Sequence, residues 1–334
     1  MTGRGGKGRR WVTALAWAGG VAAMLWSAAW LVSGWVYAVD VASSFHSFAV
    51  VACVVWAGVC VAARRWRAVW LCLAGAAVGG WPLVQGRGLT VGPVDVHSPP
   101  APGVVRVVAF NIGPESPVWA EDMRRVLGWH ADAVVLLETP PTLWRFVDRD
   151  GGLRGEGWSS AHRSWVDGLA SPCFVLSRHR LERVGLPGVE HGERDILLTR
   201  VGTGSGDLLV LAVHPHSPRT RARWELGNAM MARTMAGAVP EAERLGLPLV
   251  MAADLNAGPA AWRSRAARGA GLRMAKPLTG GWGTFAASWA GPLRVQIDDV
   301  WVGPGVRVVG WSSFAPIGSD HRVVVADLVI QAER

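Results

Sequence analysis

Apolar positions fall into two regimes along the chain. In the first 85 residues they run almost unbroken. Between Arg10 and Asp40 lie 29 uncharged residues, between Asp40 and Arg64 another 23, and between Arg67 and Arg87 another 19. A helix rises about 1.5 Å per residue, so about 20 such residues cross a hydrocarbon core. The pattern predicts three transmembrane helices near 12–34, 45–63 and 68–84. Trp11, Trp35, Tyr37 and Trp81 fall near their ends, where amphipathic rings prefer the headgroup layer. A cleaved signal peptide needs one apolar stretch of about 7–15 residues; two further apolar stretches directly after the first argue against it.

From residue 104 onward the regime changes to short β-branched runs alternating with helical stretches. Val104–Phe110, Ala133–Leu137, Leu208–Val213, Pro248–Ala253, Val295–Val302 and Arg322–Ile330 read as strands, because runs of this length bounded by turn residues are buried strands more often than helices. Helices are expected over Val118–Gly128, after Thr139–Pro140, over Thr220–Val239, and from Gly258–Pro259 to about Gly269. Residues 86–103 hold four glycines and four prolines with no apolar period and read as a linker. The organisation expected is therefore a membrane domain over 1–85, a linker over 86–103 and a layered α/β domain over 104–334.

Charge sharpens the picture. The net charge is +9, yet residues 1–88 carry +7 of it, from eight basic residues and one acid, Asp40. The rest is close to neutral, so the bulk charge does not describe a polyanion-binding surface on the C-terminal domain. Four basic residues precede the first apolar stretch and three (Arg64, Arg65 and Arg67) lie between the second and third. Both segments are expected on the cytoplasmic side, which places the C-terminal domain outside the cell. Of the four cysteines, Cys53, Cys60 and Cys72 lie in the apolar stretches and Cys173 is alone in the C-terminal domain. The pattern supports neither a disulfide nor a cysteine-ligated metal.

The candidate chemistry sits where the strands stop. Successive apolar runs finish on Asn111, Glu138, His214 and Asp254-Leu-Asn256; Asp298 and Asp299 lie in the next, and Ser319-Asp320-His321 precedes the last. Strand bodies pack in a core, so their ends are where polar groups converge. Carboxylate, amide and imidazole without thiolate form an oxygen-rich set suited to a hard divalent ion. His216 rivals His214 but lies beyond Pro215. His46, His97, His130, His162, His179 and His191 match no motif and read as surface or interfacial residues, and the 20 tryptophans read as membrane anchors and core.

These residues resemble the endonuclease/exonuclease/phosphatase (DNase I-like) superfamily over about 104–330. The motifs occur in family order: Val-Ala-Phe-Asn111-Ile, Leu-Leu-Glu138, Val-His214-Pro, Ala-Asp254-Leu-Asn256-Ala, Ile-Asp298-Asp-Val-Trp-Val and Ser319-Asp320-His321, with Pro172–Arg178 resembling a central strand. The resemblance implies a four-layer α/β sandwich and a metal-dependent phosphoesterase using Mg²⁺ or Mn²⁺. Glu138 would be the principal metal ligand, with Asn111 beside it and Asp320 completing the metal-side carboxylates. Asp254 would orient or deprotonate the attacking water, and Asn256 would donate to a phosphate oxygen. His321, paired with Asp298, would contact the phosphate, and His214 would stand near the leaving group.

Three apolar helices joined to such a domain are also similar to the VanJ-type membrane proteins of glycopeptide (teicoplanin) resistance. From that architecture the expected substrate is a lipid-linked phosphate or diphosphate at the outer leaflet, with the bilayer as a partner. Nucleic acid is not favoured on this view, and no protein partner is inferred. An extracellular nuclease and a non-catalytic phospholigand-binding protein are the alternatives.

Overall fold

A computed structural model describes residues 4–88, 91–113, 116–148, 153, 156–162, 173–189 and 195–331. Pro172 and His191, and the side chain of His162, lie outside the described residues. The chain divides into two units: residues 1–85 with 257–264, and residues 86–256 with 265–334.

The first unit is helical: α1 (Arg4–Ala28) runs into a 3-10 turn (Ala29–Val32), followed by α2 (Tyr37–Ser43), α3 (His46–Ala62) and α4 (Trp66–Val84). Small residues let the helices approach closely. A side chain at Gly75 would press on Met24 and Cys53, and one at Gly79 on Ser27, His46 and Val50. Outward faces are apolar, with Leu15, Leu25, Val51 and Val55 each more than half exposed. Among the described residues, two helices, Arg10–Val32 and Trp66–Val84, are long and apolar enough to cross a membrane. A third crossing is counted only if α2 and α3, bent by 69°, act as one. Residues 37–43, between the first two expected spans, are thus helical, and His46, read as surface or interfacial, is completely buried. Asp40, the one acid of this stretch, is buried as well and accepts a hydrogen bond from the Trp262 backbone N–H at 2.7 Å.

The second unit is built on two six-stranded mixed sheets. Its strands are β1 (Val104–Asn111), β2 (Ala133–Leu137), β3 (Ser159–His162), β4 (Phe174–Ser177), β5 (Arg180–Val184), β6 (Ile196–Thr203), β7 (Gly206–Val213), β8 (Leu249–Asp254), β9 (Arg273–Met274), β10 (Asp298–Val302), β11 (Val306–Phe314) and β12 (Val323–Ile330). The first sheet has the order β11-β12-β1-β2-β4-β3 and the second β5-β6-β7-β8-β10-β9. Each contains one parallel pair, β1–β2 and β7–β8. The helices of this part of the chain are α5 (Trp119–Leu127), α6 (Pro141–Asp148), α7 (Arg221–Leu245) and α8 (Trp262–Gly269), whose first residues fall in the first unit, with a 3-10 turn at Gly291–Leu293. Two mixed sheets flanked by helices match the sandwich expected. Helix α7 continues past Pro240, where the sequence suggested its end.

Alternation along the strands places the core and then the site. In β1, Val105, Val107 and Ala109 join the cluster that also holds Val210, Ala212, Val250, Ala252, Val300 and Val302 of the other sheet. Val108 and Phe110, one step out of phase, pack with Met123, Val126 and Leu127 of α5. This is the period of two of a strand buried on both faces. Residues 91–96, part of the expected linker, are drawn onto the same unit: Gly92 bridges Gly310, and Val94 and Val96 are buried.

Candidate metal-dependent active site

The inward-facing series of four strands run on into polar residues. Val105, Val107 and Ala109 lead to Asn111, Leu208, Val210 and Ala212 to His214, Val250 and Ala252 to Asp254, and Val302 and Val300 back to Asp298. Asp254 and Asp298 are register partners on β8 and β10. Packing of the two sheets therefore brings these ends together without any irregular loop.

Two site residues leave this regular geometry. Glu138 and Asn256 have φ of 50° and 49°, the left-handed region that non-glycine residues seldom occupy. At Glu138 the chain breaks the alternation of β2, so that its carboxylate reaches His214, with Oε1 2.8 Å from Nε2. At Asn256 the turn lets the backbone N–H donate to Asp254 Oδ1 at 2.7 Å, while the side-chain amide donates to the Pro215 carbonyl at 3.1 Å.

Asp254 is completely buried and lies at the centre. Its Oδ2 accepts from Asn111 Nδ2 at 2.9 Å and is 3.7 Å from His214 Nε2 and 3.6 Å from His321 Nδ1. His321 Nδ1 lies 3.0 Å from both oxygens of buried Asp298. The backbone N–H of Asp298 donates to Thr284 Oγ1 at 3.0 Å, and the Phe285 ring lies 5.0 Å from the imidazole. Ser319 Oγ donates to the Asn111 carbonyl and accepts from the His321 N–H, tying the last turn to β1. Thr284 and Phe285 were not singled out from sequence; the flanking Gly281 and Gly283 are the only signal near them.

Electrostatics follow from burial and pairing. Burial by itself would lower the His321 pKa, but the charges of Asp298 and Asp254 outweigh it and hold the imidazolium up at about 10. Burial would raise Glu138, but its hydrogen bond and charge interaction with His214 bring it down to about 2. His214 is raised in turn: burial opposes the proton, and Glu138 and Asp254 favour it.

Eight residues were singled out from sequence, and the fold brings seven of them together: Asn111, Glu138, His214, Asp254, Asn256, Asp298 and His321. Asp320 lies on the rim, its side chain 68% exposed and 3.6 Å from His321 Nε2. His216 has no hydrogen bond or ion pair with this cluster among the described residues, whereas His214 is central. Asp299, the neighbour of Asp298, is buried. It accepts from Trp311 Nε1 at 3.0 Å, and Lys276 lies against it. His97 and His130 are exposed, and His179 pairs with Asp132 at 2.8 Å.

Among the described residues, two sets of side chains could hold a metal, Glu138–His214–Asp254 and Asp254–Asp298–His321, with donor atoms within 4.8 Å of one another. Three carboxylates and an amide against two imidazoles fit a hard divalent cation by donor chemistry. The sandwich and this cluster define a metal-dependent phosphoester hydrolase. The chain belongs to the Endonuclease/Exonuclease/phosphatase family, whose profile matches residues 110–321.

No curated protein matches the chain by sequence. Among solved structures it is similar to an endonuclease/exonuclease/phosphatase from Bacteroides vulgatus (17% identity, 68% of this chain and 99% of that one covered, TM-score 0.53). A family protein from Bacteroides thetaiotaomicron has 16% identity, 70% and 100% coverage and a TM-score of 0.50. The 3′ phosphatase NExo from Neisseria, bound to product DNA hairpin, has 14% identity, 66% and 98% coverage and a TM-score of 0.51. These relatives lend no support to the glycopeptide-resistance branch. The expectation of a lipid-linked partner, with nucleic acid not favoured, is overturned: NExo carries the same fold and is bound to product DNA hairpin, and the lipid preference rested on architecture alone.

Proposed function

We propose that this chain is a membrane-anchored nuclease or nucleic-acid phosphatase that hydrolyses phosphoesters outside the cell. The observation that carries the reading is Asp254. It is buried, held by two N–H donors, and placed between two imidazoles and the Glu138 carboxylate. With both oxygens engaged, it is oriented rather than free to rotate, as a group that positions an attacking water must be. His321 remains protonated at neutral pH and donates to a phosphoryl oxygen, with Asp298 holding its ring in place. Asn256 supplies an amide donor to the same oxygens, and His214 stands where a leaving oxygen can take a proton.

Glu138, with Asn111 beside it and Asp320 at the rim, forms the side on which Mg²⁺ or Mn²⁺ would be held. Such an ion supplies charge stabilisation to the phosphoryl group. The apolar outer faces of the helical unit, together with the basic residues of its two flanks, support a multi-pass anchor with a cytoplasmic N-terminus.

The test is a pair of reactions with the purified full chain: nicking of supercoiled plasmid, and release of phosphate from a 3′-phosphorylated oligonucleotide. Metal-dependent turnover of either supports the reading, and the ratio separates diesterase from monoesterase. Turnover of neither contradicts it.

A further inference from the structure

Beside the catalytic cluster lies a feature that the chemistry above does not use. A groove of about 480 Å³ runs between the turn Pro277–Trp282 and the end of β11, lined also by Arg294 and Arg322. The two guanidiniums repel one another; burial, and then the charge of Arg294, lower the pKa of Arg322. Neither is paired with a carboxylate among the described residues. Arg322 donates to the Ser313 hydroxyl and carbonyl at 3.2 and 2.7 Å, and Arg294 donates to the Trp289 carbonyl at 3.0 Å. Lys276 lies behind them, but buried Asp299 offsets its charge. The positive charge presented to the groove is therefore that of the two arginines, and it has no carboxylate counterion among the described residues.

Charge alone would describe any basic surface, but Trp282 adds an independent constraint. It is 59% exposed, unlike a core tryptophan, and yet it is held firmly. Gly281, at φ 74°, makes the turn that delivers it. Its carbonyl accepts from Lys276 Nζ at 2.8 Å, and its indole packs so closely on Gly291 that any side chain there would collide with it. The indole is thus an open platform on a rigid base. The groove also begins next to the site. Arg322 follows His321 directly, and its N–H donates at 2.9 Å to the carbonyl of Thr284, whose hydroxyl holds Asp298.

We infer that this groove binds the unpaired nucleotide beside the scissile phosphate, with its base stacked on Trp282 and its outer phosphate held between Arg294 and Arg322. This rests on the nucleic-acid reading above and specifies it as single-stranded. A lone indole takes a base only when that base has left its neighbours, and two guanidiniums match one phosphate by charge and fork geometry.

The test is fluorescence anisotropy of labelled octathymidylate with the full chain in EDTA, so that no cleavage intervenes. Turnover of bis(p-nitrophenyl) phosphate with Mg²⁺ serves as a readout of the catalytic cluster. Trp282→Ala and Arg294→Ala should each weaken binding on the order of tenfold, and Trp282→Phe should recover most of the loss. Arg294→Ala should also flatten the log–log salt dependence by about 0.7, while small-diester turnover stays as in the wild type. Wild-type protein that does not bind, variants that bind equally well, or loss of small-diester turnover in parallel would each overturn the inference. Selective loss of binding, in a wild type that with Mg²⁺ neither cleaves the oligonucleotide nor releases phosphate from its 3′-phosphorylated form, would leave the groove standing and refute the hydrolytic reading instead.

Discussion

The side-chain amide of Asn111, at the end of β1, donates across 2.9 Å to Oδ2 of Asp254, at the end of β8. The two strands belong to different sheets, so this hydrogen bond crosses the sandwich at the site. Both residues are buried, and Asp254 has the Asn256 backbone N–H as its other donor. Asn111→Ala would leave a buried carboxylate oxygen without its donor. The expected cost is about 1–3 kcal/mol of stability and on the order of 100-fold in kcat. Denaturant unfolding and steady-state kinetics measure the two together; full activity in a destabilised variant would contradict the positioning role.

The His321–Asp298 pair sets a pH dependence. The folded pKa of His321, about 10, lies above its ordinary value of 6.5. The pair's contribution to stability is therefore complete below pH 6.5 and is lost as pH rises toward 10. Asp298→Asn removes the neighbouring charge that outweighs burial. The alkaline limb of the kcat profile should then move down toward neutral pH, with kcat at its optimum reduced on the order of tenfold or more. An unchanged limb would show that His321 does not act as an imidazolium.

Glu138 is held ionised by His214, with a pKa of about 2, so its charge is available to a cation throughout the neutral range. Glu138→Gln keeps the shape and removes the charge. It should raise the Mg²⁺ concentration for half-maximal activity at least tenfold and abolish most of the Mg²⁺-induced rise in Tm, which for a wild-type site filled at 100 times its Kd corresponds to about 2.7 kcal/mol. Equal Mg²⁺ titrations for the two proteins would remove Glu138 from the metal side.

The apolar faces and basic flanks of the helical unit make a topological prediction. Protease added to intact spheroplasts should digest the chain after about residue 88 and spare the N-terminus. Protection of the C-terminal part until the membrane is opened would reverse the proposed orientation.

Much of the site was legible because it continues a regular pattern. Asn111, His214, Asp254 and Asp298 each extend an inward-facing series, so reading strand periodicity reads the site. Glu138 and Asn256 share the right sequence positions; asparagine tolerates positive φ, but at Glu138 the positive φ that turns the side chain inward leaves no trace in residue type. Strand β5, Arg-Leu-Glu-Arg-Val, is largely exposed and has no apolar run, and β11 is an edge strand interrupted near Gly310 by a register shift. The association of residues 257–264 with the helical unit depends on tertiary contacts such as that between Asp40 and Trp262, which periodicity cannot express. The Trp282 platform was hidden for the same reason: Arg294 and Arg322 meet only after the intervening chain has folded.

Metal-dependent hydrolysis of nucleic-acid phosphoesters at Asp254 can be decided by a single assay. Cleavage of a single-stranded oligonucleotide by the purified full chain would be followed with Mg²⁺, with EDTA, and after Mg²⁺ is restored, beside Asp254→Ala. Cleavage is expected to stop with EDTA, return with Mg²⁺, and fall at least 1000-fold in the variant. Cleavage that survives EDTA, or an Asp254→Ala protein as active as the wild type, would contradict it.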